Sequence, residues 1–303
     1  MKRPPPATSG RIDSHVHLLP ERLVSRGSPA WADPWFQRCH AGPSSARPSD
    51  PGGIVAALDR AGFDRAVVMG WPFSDPELCR VGNEEVAQAV RDHPARIIGL
   101  ATVNPSRPGW ADELDRAAAL GLTGVGELNH DAQGFGLEPG GELHALLDTC
   151  AARDWPVLLH ASEPVGHDYP GKGTAHPGRL WPLLEAVLVG AQPPRLCLAH
   201  LGGGLPLYGH MPEVRELCRR LWFDCAALPL LYRPGAASQV GRLCGWDRLL
   251  LGSDFPRLTL ERYRPFLETL AATARGWVEG GSALSWLGRS ATEGWPESAG
   301  GGG

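Results

Sequence analysis

Residues 12–20 read Ile12-Asp13-Ser14-His15-Val16-His17-Leu18-Leu19-Pro20. The stretch starts as a short apolar strand with polar residues set into it, and it ends on His17-Leu18-Leu19-Pro20. That ending decides between two architectures. A doubly wound open sheet usually follows its first strand with a glycine-rich phosphate turn, which a closed barrel does not need. Seven more apolar runs of strand length follow, at 65–71, 96–103, 123–128, 156–161, 195–202, 221–228 and 248–255. Between them lie amphipathic stretches of helical period, at 53–62, 83–93, 108–120, 141–153, 178–190, 211–220 and 236–244, with a final helix expected over 259–275. Eight βα units in order predict an α/β fold, a single (β/α)8 TIM barrel spanning residues 1–293.

Two segments stand outside the units. Residues 19–52 form a long Pro-, Gly- and Ser-rich connection that carries Trp31, Trp35 and Phe36. It leaves the C-terminal end of strand one, where barrel enzymes place their chemistry, so it is a candidate lid; a surface excursion with its own aromatic cluster is the alternative. Residues 294–303 end in four glycines and are expected to be a flexible tail.

The chain has 303 residues with a net charge of −4, 43 % of them hydrophobic and 20 % charged. A large core is therefore available. The mild acidity and the lack of a Lys/Arg block argue against nucleic acid as a partner. No apolar run reaches the ~18 residues of a membrane span, and the basic start MKRPPPATSGRID lacks the apolar segment of a signal peptide. A cytoplasmic protein is expected, and a homo-oligomer is compatible with it. The seven cysteines are scattered with no C-x-x-C pair, so they are read as reduced thiols, several of them small core residues.

The polar residues within the runs carry the chemistry. Strand residues alternate faces with period two, so His15 and His17 share a face, with Asp13 expected two residues deeper on it. Glu127 closes the fourth run, His160 the fifth, His200 the sixth and Asp254 the eighth. A single His at a strand end is commonly a hydrogen-bonded rim residue. Six imidazole or carboxylate groups at one end of five strands are hard to obtain from packing alone, because buried imidazoles must be satisfied together and a metal ion does that. The oxygen and nitrogen donors suit Zn2+ first, with Mn2+ or Fe2+ as alternatives.

The order His-x-His, Glu, His, His and Asp resembles the amidohydrolase superfamily. Ile12-Asp13-Ser14-His15-Val16-His17 and Gly252-Ser253-Asp254-Phe255-Pro256 look most like its amidohydrolase-related branch, which holds metal-dependent hydrolases and decarboxylases similar to aminocarboxymuconate semialdehyde decarboxylase. The likeness runs from residue 11 to about 288. It implies His15, His17, His160 and Asp254 as ligands of one tightly held ion, with His200 beside the metal-bound water. In a two-metal form it implies that Glu127 bridges, and that His160 and His200 bind a weaker second ion. The Asn-Ala pair usual before the last helix is replaced by Gly281-Ser282-Ala283-Leu284.

These groups predict a hydrolase that attacks an amide, lactone or ester of a small molecule with metal-activated water, Asp254 moving the proton and His200 polarising the scissile bond. A non-oxidative decarboxylase of the same branch is the alternative. Glu127 tilts the expectation to hydrolysis, since a bridging carboxylate builds a two-metal hydroxide site. Substrate contacts are expected from His167, Tyr169 and Lys172 in the loop after strand five, from Arg257 as partner of an anionic group, and from Trp71 as an apolar wall. His40 defaults to a surface role.

Overall fold

The computed structural model describes residues 10–42, 47–190 and 192–288. All eight expected strands form: β1 (Ile12–His17), β2 (Arg65–Met69), β3 (Ile97–Gly99), β4 (Val125–Leu128), β5 (Pro156–Leu159), β6 (Arg195–Leu198), β7 (Trp222–Asp224) and β8 (Leu249–Leu250). They pair in parallel as β1-β2-β3 and as β4-β5-β6-β7-β8. Backbone hydrogen bonds cross both seams between the two sheets. Ala101 N–H donates to Gly124 O at 2.8 Å and Gly126 N–H to Ala101 O at 2.9 Å. On the other side Ser14 N–H reaches Leu251 O at 2.8 Å and Asp254 N–H reaches His15 O at 2.9 Å. The ring is closed: this is a (β/α)8 barrel.

Alternation along the strands builds two apolar layers. Ile12, Val67, Met69, Ile98, Leu100, Leu158, Cys197 and Leu250 fill the barrel, together with Trp286 and Leu287 of the helix Ser282–Leu287. Val16, Ala66, Val68, Val157, Leu159, Leu196, Leu198, Leu249 and Leu251 pack outward against the helices. The seven cysteines are free and buried, as small apolar core residues are.

Three expectations need correction here. The register of β1 against β2 shifts between Asp13 and Val16. This bulge adds a residue and reverses the faces, so Asp13 turns outward beside Val16, Ile54 and Leu58 while His15 and His17 point inward. The helix expected over 259–275 is broken into the 3-10 turn Leu260–Tyr263 and the short helices Arg264–Leu267 and Ala272–Gly276; Pro265 has no N–H to continue a ladder. His40 is buried, not superficial. The connection at 19–52 includes, among its described residues, the helices Glu21–Val24 and Pro34–His40 and the 3-10 turn Pro29–Ala32. The expected tail at 294–303 lies outside the described residues. Among those described, no helix is long and apolar enough to cross a membrane.

Candidate metal centre

The six expected groups meet at the C-terminal mouth of the barrel. Strand alternation alone brings in His160, which follows inward Leu158 by two residues. It would not bring in His200, which directly follows inward-facing Ala199. Here the backbone changes hand: His200 has φ 56° and Leu201 φ 54°, and three glycines continue the left-handed turn. Asp254 is also left-handed, at φ 61°. Such conformations cost about 1–3 kcal/mol each and cluster at functional sites. Gly252 is needed for a different reason: a Cβ there would stand 2.7 Å from the Cβ of His15.

His15 Nε2 and His17 Nε2 are 3.2 Å apart. Glu127 Oε2 lies 3.9 and 3.6 Å from them, and Asp254 Oδ1 lies 3.9 and 3.8 Å from them. The other oxygen of Glu127 faces the second imidazole pair, with His160 Nδ1 at 3.0 Å and His200 Nε2 at 3.5 Å. One carboxylate thus stands between four imidazoles.

Three of the rings are aimed by acceptors that each take an Nδ1–H. His17 donates to Gly70 O at 3.1 Å and His200 to Ala226 O at 3.0 Å, so their Nε2 atoms face the centre. For His15 the acceptor is Asp224 Oδ2 at 2.8 Å. Asp224 was missed at the sequence level; a lone acid inside the apolar run of β7 was the available signal. Fully buried, it also accepts from the backbone N–H groups of His200 and Ala226 at 2.9 and 3.0 Å. It therefore positions residues of two strands. Asp224→Asn is expected to weaken metal binding about 10–100-fold, as loss of a carboxylate behind a ligand imidazole does. Competition with a chelator measures this, and unchanged affinity would refute the positioning role.

The electrostatics favour a cation at this centre. Burial alone would lower the His15 imidazole, but Asp224, then Glu127 and Asp254, lift it to about 9. Burial opposes the charged form of His200 as well, yet Glu127, with Asp224 and Asp254 behind it, lifts that ring to about 10. His17 is lowered, by burial and by neighbouring His15. Glu127 is held well below the usual carboxylate range, since His160, His200 and His15 outweigh its burial. Two ring protons thus balance a set of buried acids, a charge that one divalent ion supplies instead. The nitrogen and oxygen donors, 3.2–3.9 Å apart around one point, fit such an ion. Two overlapping groups, His15–His17–Glu127 and Glu127–His160–His200, can each hold one. The site is a divalent metal centre.

Above it is a cavity whose floor is formed by His17, Glu127, His160, His200 and Asp254. Its walls are Trp35, Trp71, Pro72, Pro170, Leu230 and Leu231, with His167 and Tyr169 at the rim. Arg257 is the one Lys or Arg among the lining residues. Trp71 packs at a tilt against His17, 5.6 Å between centroids. Tyr169 OH donates to Glu163 Oε2 at 2.7 Å. Lys172 departs from the expectation: it is not among the lining residues, and its Nζ donates to the carbonyls of Val165, Gly166 and His167 at 2.9, 3.3 and 3.0 Å. It closes its own loop, because a chain reversal at 165–172 puts those carbonyls within its reach.

His40 packs at a tilt against Phe36 at 4.4 Å and Trp71 at 4.6 Å between ring centroids. Neither of its ring nitrogens has a hydrogen-bond partner, and neither has the indole nitrogen of Trp71. A buried polar group left unpaired costs about 1–3 kcal/mol.

Comparison with known proteins places this geometry. A family model described as Amidohydrolase matches residues 12–280. A curated relative, 2-amino-3-carboxymuconate-6-semialdehyde decarboxylase of Dictyostelium discoideum, is 22 % identical and covers 92 % of this chain and 91 % of its own. The crystal structure of 5-carboxyvanillate decarboxylase from Sphingomonas paucimobilis superposes with a TM-score of 0.70 at 19 % identity, over 92 % of this chain and 99 % of that one. A second 5-carboxyvanillate decarboxylase, from Novosphingobium aromaticivorans, matches with a TM-score of 0.67 at 18 % identity over 92 % and 96 %; its structure holds manganese and 4-hydroxy-3-methoxy-5-nitrobenzoic acid. At such identities the solved structures establish the barrel fold. The expectation of a hydrolase is corrected by these findings, since all three relatives are named decarboxylases. Its support had been Glu127 as a bridge, but a carboxylate facing four imidazoles serves one ion as well as two.

Proposed function

The chain belongs to the amidohydrolase family, and within it we propose that this member is a metal-dependent non-oxidative decarboxylase of a small aromatic carboxylic acid. The observation that carries this reading is an aromatic-walled cavity, with a single guanidinium, standing directly over the buried His and carboxylate cluster. Its whole-length likeness to decarboxylases supports it.

His15, His17, Glu127, His160 and Asp254 would hold the ion, with His200 beside it. Zinc or manganese suits this donor set, and manganese is bound in solved neighbours. A bound divalent ion supplies positive charge that fixes the substrate's carboxylate or an adjoining oxygen and draws electron density as the carbon–carbon bond breaks.

The chain's own residues do the rest. Trp71, Pro72, Leu230 and Leu231 flank the ring and keep water from the carboxylate. A carboxylate without water is destabilised relative to the transition state, in which its charge is spreading into the ring. Arg257 pairs with the substrate's anionic group. One proton must take the place of the departing CO2 on the ring carbon. Asp254 lines the cavity with its side chain 15 % exposed, which suits it to deliver that proton; His200 orients the group that receives it.

The test is stoichiometric. Hydroxylated benzoic acids incubated with the metal-loaded protein are expected to release one CO2 per product molecule, with activity lost to a chelator and restored by manganese or zinc. Arg257→Gln is expected to raise KM about 10–100-fold, the value of a charged hydrogen bond. Acid production from amides, lactones or esters without CO2 would overturn the proposal.

A further inference from the structure

The floor of the cavity is almost sealed: His17, Glu127, His160 and His200 are 3–7 % exposed. One side of the cavity wall is the helix Pro34–His40, which contributes Trp35 and Cys39, and facing it is the loop after β5, which contributes Tyr169 and Pro170. The two ends of this helix are held unequally. At its N-terminus Asp33 Oδ1 accepts from Phe36 N–H at 2.9 Å, and Asp33 Oδ2 accepts from Ser74 N–H and Oγ–H at 2.9 and 2.8 Å. Among the described residues, the ties that join its C-terminal turn to the opposite side of the cavity are long or weak. Arg257 Nη2 donates to Cys39 O at 3.4 Å, Cys39 Sγ to Pro170 O at 3.6 Å, and Arg38 faces Asp168 at 3.6 Å between exposed side chains. The same end buries His40 with both ring nitrogens unpartnered, against Trp71 whose indole N–H is unpartnered too.

We propose that the helix Pro34–His40 is a strap that turns about its Asp33 anchor, and that His40 is the positioning residue that sets how readily it lifts from the cavity. In the held state His40 gives up every hydrogen bond to water. Lifting restores those bonds and uncovers the wall formed by Trp35 and Cys39. One of the long ties runs through Arg257, so a substrate anion that takes up that guanidinium competes directly with the strap's attachment. The inference rests on the cavity being the substrate site, whatever bond is broken there.

Protonation gives the strap a signature. The titratable groups that act on His40 are Arg257, from the segment after β8, and His17, from β1; the rings it packs against, Trp71 and Phe36, are uncharged. Burial, with Arg257 and His17, holds the imidazole down to about 3. Once lifted it returns to the ordinary value near 6.5. The held state therefore keeps its full advantage above about pH 6.5 and loses it as the pH falls below that value.

Hydrogen–deuterium exchange of the metal-loaded protein, read on peptides covering 34–42 and corrected for intrinsic exchange rates, tests this. Going from pH 7.5 to 5.5 should raise opening of this helix about tenfold while barrel-strand peptides stay protected. His40→Phe keeps an aromatic ring against Phe36 and Trp71 without the nitrogens. It should protect the helix more strongly at both pH values and abolish the pH response. Should that variant fail to fold, His40→Gln, which cannot be protonated, must likewise remove the pH response. Equal protection of the wild-type helix at both pH values, or the same acid loosening in either variant, would overturn the proposal. Neither readout depends on turnover, so the strap can fail while the decarboxylase reading stands, and the reverse.

Discussion

Glu127→Gln is expected to weaken metal binding about 10–100-fold and to lower turnover at saturating metal by about 100–1,000-fold. The carboxylate stands 3.6 and 3.9 Å from one imidazole pair and 3.0 and 3.5 Å from the other. The amide keeps its size, but it removes the negative charge that stands between the two pairs. Elemental analysis after dialysis, together with CO2 release, reads both effects. The same experiment counts the ions. A fall from about two per chain to about one marks Glu127 as a bridge, whereas about one before and a fraction after marks a group serving a single ion. Full metal content and full rate in the variant would show that Glu127 belongs to the packing and not to the centre.

Asp254→Asn should reduce the rate of CO2 release about 10²–10⁴-fold even when metal is saturating, because it removes the group assigned to deliver the proton. The choice of asparagine matters. Asp254 sits at φ 61°, a left-handed conformation that Asn tolerates about as well as Asp, so the barrel should fold unchanged. Its carbonyl oxygen can still stand where Oδ1 stands, 3.8 Å from His17 Nε2. What it cannot do is take up a proton and hand it to carbon. In deuterated water the wild-type product should carry one deuterium at the carbon that lost CO2, formed slowly or not at all by the variant. A variant that releases CO2 at the normal rate would move the proton-delivery role to His200.

The strand alternation and the apolar runs made the barrel legible from the sequence. A strand buried on both faces has to be apolar nearly throughout, so eight such runs announced themselves without any knowledge of their partners. The mouth groups were legible for a related reason. His160, His200, Glu127 and Asp254 each interrupt or end such a run, and a polar side chain in that position must be paired or must bind something. His15 and His17 were legible through their spacing of two.

What stayed hidden depends on contacts between distant parts of the chain. Asp224 meets His15 across 209 residues of sequence, and no local pattern distinguishes it from a satisfied core acid. The bulge in β1 reverses Asp13 because the register against β2 shifts there, a property of two strands and not of one. Lys172 looked like a substrate contact on charge alone, yet a turn of eight residues brings three carbonyls within reach of its ammonium, and those neutralise its donors first. His40 reads as an ordinary polar residue at the end of a short helix. Only the packing of that helix onto Trp71 buries it. Periodicity and polarity report how a residue relates to its own strand or helix, and so the sequence by itself determined the barrel and the ring of donors at its mouth. Which side chain aims which donor, and which polar group is left without a partner, is decided when separate elements are brought together, because a hydrogen bond is made or lost within a few tenths of an ångström.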